Sequence, residues 1–178
     1  MPNQSSLKPQ DLSPPTILGK NDDTSRFSCG NKDIDEFIQK EALTFQEGCL
    51  GVTYVFKQEK ELIGFATLCM GNLNKHELAT KDRLPKHIGS YPALLIGQLA
   101  VCNDNQSNGI GTYMCDFCLD RAVKLTHILG CRFLVVDAIE KAVKFYQNYG
   151  FVLAPKQEKE KQKLMFLDIT KRKNAANN

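Results

Sequence analysis

The sequence is short of several things, and each shortage removes a class of function. No apolar run approaches the roughly 20 residues that a membrane-spanning helix requires. The opening "MPNQSSLKPQDLSPP" is proline-rich and polar and has no signal-peptide core, so a loose tail and a cytoplasmic protein are expected. The net charge is only +3, from 23 basic and 20 acidic residues, too little to argue for nucleic acid by itself. The 3 histidines (His76, His87 and His127) show no metal-ligand spacing. The 7 cysteines are an odd, scattered set among apolar neighbours, which reads as small hydrophobes under reducing conditions rather than a disulfide frame. Cys115 and Cys118 form a C-x-x-C, but it falls about a turn inside an expected helix. A redox pair would open the helix, so packing is the expected role.

What is present is an ordinary globular composition. The 178 residues are 42% hydrophobic and 24% charged, enough for one domain with a substantial core. A first strand is expected at "TILGK" (16–20), then a helix in "CGNKDIDEFIQKEALTFQEG", with Asn31 as N-cap and acidic residues in its first turn. "VTYVFKQ" and "LIGFATLCMG" read as a hairpin across a charged turn. Residues 72–92 are irregular. "ALLIGQLAV" (93–101) reads as a buried central strand, and its internal Gly97 as a bulge or a close backbone approach. A helix follows over about 110–129, with Met114, Phe117, Cys118, Ala122, Leu125 and Leu129 inward. Then come the strand "CRFLVVDA", the short helix "EKAVKFYQNYG", and a second hairpin of "FVLAP" and "KLMFLDI" across "KQEKEKQK".

The fold class is therefore α/β (α+β): a mixed, mostly antiparallel central sheet flanked by helices, with element order β-α-β-β-β-α-β-α-β-β. The expected organisation is a tail over 1–15, one domain over 16–170 and a second tail over 171–178.

The informative stretch is "QSNGIG", Gln106 to Gly111, set between the central strand and the long helix. Its glycines allow a tight turn whose N–H groups point outward at a helix start. Such donors lack helical partners, and the helix dipole favours an anion there. A Walker loop would need a lysine after the last glycine, but Gly111 is followed by Thr112. A Rossmann fingerprint would need a third glycine. What is left is a cradle for a phosphate-bearing ligand or an ordinary glycine turn.

A second motif decides between them. "LAV", "QSNGIG", "FLVVDA" and "AVKFYQNYGF" follow in the order of a central strand, Q/R-x-x-G-x-G/A opening a helix, another strand, and A-x-x-F/L-Y-x-x-x-G-F. In this the sequence resembles the GNAT superfamily of N-acetyltransferases. The resemblance implies the GNAT fold and acetyl-CoA as co-substrate. It implies that the main-chain amides of Gln106, Ser107, Asn108, Gly109, Ile110, Gly111 and Thr112 wrap the pyrophosphate, and that the strand Leu99, Ala100 and Val101 binds the pantetheine arm. It also implies that Tyr146 contacts the cofactor as the catalytic donor to the departing thiolate. Phe145, Tyr149 and Phe151 read as core. No carboxylate stands on the central strand to serve as base. Asp137 is a candidate more easily read as structural, and Ile139 stands where many relatives have an asparagine.

The opening "FSCGNKDIDEFIQKEA" further resembles F-x-C-G-N-x-x-L-D-x-F-L-x-x-x-A of the GNAT toxins of bacterial toxin–antitoxin pairs. That branch acetylates the amino group of aminoacyl-tRNA and pairs with ribbon-helix-helix antitoxins. The departures here are Gln98 for a common arginine and Cys102 for an aspartate. "KDRLPKH" and "KRK" are modest basic clusters for an RNA. A small-molecule or peptide amine acceptor, a catalytically idle acetyl-CoA-binding module, and assembly as a homodimer stay open at this point.

Overall fold

The computed structural model describes residues 7–83, 87–155 and 162–171. Leu84–Lys86, most of the charged run after Pro155, and the chain beyond Lys171 lie outside the described residues, as do the first six. The chain forms two compact units, one built from the residues up to Cys69 with Gln98–Asp116, the other from Met70–Gly97 with Phe117 onward.

In the first unit, β1 (Thr16–Ile17) pairs antiparallel with β2 (Val52–Gln58), and β2 with the start of β3 (Glu61–Asn74). The β2–β3 turn is as short as the charges suggested, with Glu59 in the left-handed region at φ 52°. Thr53 and Thr67 face each other in the ladder, and their fully buried hydroxyls satisfy one another at 2.8 Å. The expected first helix is interrupted. It runs as α1 (Lys32–Glu36), a π turn (Phe37–Glu41) and α2 (Ala42–Glu47). Asn31 caps it as expected, accepting from the Asp33 N–H. The π turn gives Phe37 two aromatic contacts, stacked on Phe65 at 6.3 Å and edge-on to Phe45 at 5.8 Å. With Phe27, Ile38, Ala42 and Val55, Phe65 forms the core of this unit.

In the second unit, β5 (Phe133–Ile139) lies between β4 and β7 (Gln162–Asp168). It is parallel to β4 (Ser90–Val101) and antiparallel to β7, and the short β6 (Val152–Leu153) closes the edge. Its core gathers Leu73, Tyr91, Phe133, Val135 and Phe166, with Phe133 edge-on to both Tyr91 and Phe166. Arg132 and Asp168 pair at 2.8 Å where β5 begins and β7 ends. Across the seven-stranded sheet the order is β1-β2-β3-β4-β5-β7-β6.

β3 and β4 run through both units. On β3, Leu62 and Phe65 enter one core and Leu73 the other. On β4, odd-numbered Tyr91 and Ala93 enter one core, yet even-numbered Ala100 enters the other. Gly97, exposed within a buried run, lies between the stretches of β4 that enter the two cores. The parallel ladder with β5 covers Ala93–Ile96 only, so the strand from Gly97 onward lies beyond it.

α3 (Ile110–Leu125) buries Met114, Cys115, Cys118 and Ala122 as its inner stripe. It stops a turn earlier than its hydropathy suggested: Leu129, expected inward, is 54% exposed. α4 (Val143–Tyr149) ends at Gly150, whose φ of 115° only glycine adopts readily. Gly64 is the tightest backbone approach near α3. A Cβ there would lie 2.8 Å from Met114 Sδ and 2.9 Å from the Ala100 carbonyl oxygen. The thioether can swing away, but the carbonyl cannot. Gly64→Ala is expected to cost about 1–3 kcal/mol of stability in urea unfolding; a parent-like midpoint would show that the strands part freely.

Candidate active site

The turn between β4 and α3 is built in two layers. Its base is a 3-10 turn at Asn103–Asn105, fastened to neighbouring strands and loops. Cys102 N–H donates to Ile63 O at 2.8 Å and Asn103 N–H to Ser28 O at 2.9 Å. Gln106 N–H donates to Asn103 O at 3.3 Å, which occupies it. The upper layer runs from Ser107 to Thr112. Ser107 and Gly109 both take positive φ, 67° and 81°. A Cβ at Gly109 would meet only Pro9 Cγ, at 3.9 Å, so φ rather than crowding demands the glycine.

Tyr113 N–H is the first at the helix start to find a carbonyl, that of Gly109 at 3.1 Å. Among the described residues, the N–H groups of Ser107, Gly109, Ile110, Gly111 and Thr112 have no backbone acceptor, while Asn108 closes the turn over Gln106 and Ser107. Ile110, 1% exposed, pins the turn from below. The result is a row of unsatisfied donors at the positive end of a 16-residue helix, where the helix dipole favours an anion.

The strand leading into the turn presents backbone rather than chemistry. Ala100 turns its methyl into the core, while Leu99 and Val101 are half-buried. Between Gly97 and Val101 no side chain titrates.

In the second unit, Tyr146 is 4% exposed and held edge-on between Phe145 at 5.0 Å and Phe151 at 5.3 Å. Its backbone is fixed as well, since Gly150 N–H and Phe151 N–H both donate to its carbonyl oxygen. Phe151 is core, as expected. Asp137 is exposed on β5 between buried Val136 and Ala138.

Two side chains take on structural tasks that spacing does not announce. Asp35 has the look of an ordinary first-turn acid, yet its carboxylate accepts Cys29 N–H at 2.7 Å and Ser28 Oγ–H at 3.0 Å. Gln106 enters by its side chain: Nε2 donates to Cys29 O at 3.1 Å, Val101 O at 3.0 Å and Asn103 Oδ1 at 3.3 Å. A polar residue opening a glycine turn was the only available signal, and it does not say which of its groups is used.

The C-x-x-C is packed into the core. Cys115 and Cys118 are fully buried, and burial pushes the Cys118 thiol up to about 12, so it holds its proton where a metal ligand or nucleophile must lose one. Among the described residues no cluster of three His, Cys, Asp or Glu could hold a metal ion, and no helix is long and apolar enough to cross a membrane. Within "KDRLPKH", Arg83 is turned to the Leu78 carbonyl.

The chain belongs to the acetyltransferase (GNAT) domain family, whose model matches residues 50–153. It is similar to a tRNA-acetylating toxin of Mycobacterium tuberculosis, 25% identical over 146 residues that cover 80% of this chain and 86% of the toxin. Among solved structures it is similar to AtaT complexed with acetyl-methionyl-tRNAfMet, with a TM-score of 0.80 and 23% identity over 94% of this chain and 99% of that one. A tyrosine-to-phenylalanine mutant of KacT superposes with a TM-score of 0.79 and 20% identity, over 90% and 98% of the two chains. AtaTR bound with acetyl-CoA matches at 0.77, with 22% identity over 94% and 99%.

Proposed function

We propose that this GNAT enzyme moves the acetyl group of acetyl-CoA onto the α-amino group of an aminoacyl-tRNA. The observation that carries the reading is the open row of amides at Ser107 and Gly109–Thr112, shaped for the pyrophosphate of CoA. Leu99, Ala100 and Val101 offer main-chain groups to the pantetheine arm as an added strand would. Gln106 supports the cradle, because its own N–H is already donated. Tyr146 stands as donor to the thiolate that leaves when the amine attacks the thioester carbonyl and the C–S bond breaks.

Chemistry and kinship both point to the acceptor. The attacking amine must be neutral, and the central strand segment Gly97–Val101 supplies no base. A lysine amine near 10.4 would demand one, whereas an α-amino group near 7.7–8.0 is substantially neutral at physiological pH without help. Similarity to a tRNA-acetylating toxin and to AtaT solved with an acetylated aminoacyl-tRNA points the same way. By the same kinship the protein acts in the cytoplasm as the toxin of a pair. Its partner would be a ribbon-helix-helix antitoxin, as AtaT is solved bound to the C-terminus of the antitoxin AtaR.

The test is incubation of the purified protein with acetyl-CoA and a mixture of aminoacyl-tRNAs, followed by mass spectrometry of the 3′-terminal fragments. N-acetyl-aminoacyl ends are the expected product. Acetylation of free amino acids or polyamines with untouched tRNA would move the enzyme to small-molecule acceptors, and binding of acetyl-CoA without transfer to any amine would make it an idle module.

A further inference from the structure

The N-terminal "SCGN" segment does not reach the row of open amides, yet it is hydrogen-bonded to the turn beneath them. Asp35 clasps Ser28 and Cys29 from α1. Ser28 O then accepts Asn103 N–H, and Cys29 O accepts Gln106 Nε2–H. Gly30, at φ 79°, lets the segment pass close to the turn: a Cβ there would sit 3.0 Å from Asn103 Oδ1. The Gln106 amide thus faces three oxygens, those of Cys29, Val101 and Asn103, and two of them are main-chain carbonyls that cannot be turned into donors.

We infer that Gln106 is a positioning residue, a strut through which the Ser28–Gly30 segment and the end of β4 hold the phosphate cradle in its open form. Its donor N–H groups, not its shape, carry the role. Val101 ends the strand and Gln106 begins the glycine turn, so the bond at 3.0 Å between them closes the base of the loop. Without it, the left-handed conformations at Ser107 and Gly109 have less to oppose their relaxation, and the amides no longer converge.

This inference rests on the cradle reading, and its test separates the two. Gln106→Glu keeps the shape but sets a carboxylate oxygen against the three acceptors. Gln106→Arg replaces the amide with a donor-only group. Calorimetry with acetyl-CoA should show Gln106→Glu weakened about tenfold or more and Gln106→Arg within about threefold of the parent. Gly30→Ala, which pushes on Asn103 from the other side, should also weaken binding. Its effect should not add to that of Gln106→Glu, because both act through one bonded cluster. Circular dichroism and thermal melting verify that each variant is folded. Parent-like affinity in Gln106→Glu overturns the strut while leaving the cradle intact, as does equal loss in the Glu and Arg variants. Failure of the parent chain to bind acetyl-CoA removes the cradle and the strut together.

Discussion

Gly111→Asp is expected to abolish measurable acetyl-CoA binding while leaving the protein folded. Gly111 is in the first turn of α3, within the row of N–H groups that have no backbone acceptor. An aspartate there fills the cradle with a side chain and brings a negative charge against the diphosphate. At about 4 Å and an effective dielectric near 20, repulsion between unit charges is roughly 4 kcal/mol, so a loss of at least 100-fold in affinity is expected. The same substitution favours the fold, since an acidic residue in the first turn of a helix is worth about 0.3–1 kcal/mol. A parent-like or slightly raised melting temperature with no calorimetric heat would therefore isolate the binding defect. Gly111→Ala, uncharged and a better helix former, should lose far less. Affinity within threefold of the parent in the Asp variant would take the diphosphate out of this turn.

Tyr146→Phe is expected to keep the cofactor and slow acetyl transfer at least tenfold. The ring sits edge-on between Phe145 and Phe151, so phenylalanine preserves the packing, and a stability change within about 1 kcal/mol is expected. The hydroxyl's contribution can be gauged from the reference acidities of free side chains. With a phenol near 10 and a thiol near 8.5, complete proton transfer to the thiolate is uphill by about 2 kcal/mol. In the proposed role the phenol would act mainly as a hydrogen-bond donor to charge growing on sulfur, an effect worth about 10²–10⁴-fold at full strength. The check is single-turnover transfer with acetyl-CoA at saturation, beside its Kd in the same variant. An unchanged rate would assign Tyr146 to packing under the cofactor site, and a lost Kd would assign it to binding.

The strands and helices were legible where hydropathy and local chemistry agree. "VTYVFKQ" is β2 residue for residue, and Asn31 and Gly150 punctuate their helices as their chemistry requires. The structure departs from local pattern where tertiary packing outweighs it. The helix after "CGN" opens into a π turn where Phe37 stacks with Phe65. α3 sheds Leu129 to solvent although its spacing continues the inner stripe. Gly97 lies exposed in β4 between the residues that enter the two cores.

By itself the sequence determined the amide row: two glycines one residue apart at a helix start leave unpaired N–H groups wherever that helix lies, because the first turn of any helix lacks acceptors. It likewise determined Tyr146's place, one helical turn before a glycine stop. Only the tertiary structure decided which groups stay open. Gln106 and Asp35 are polar residues with several donors or acceptors each, and the carbonyls or amides they meet lie on segments distant in the chain. Cys29 and Gln106 are 77 positions apart, so the chain must fold before their bond exists.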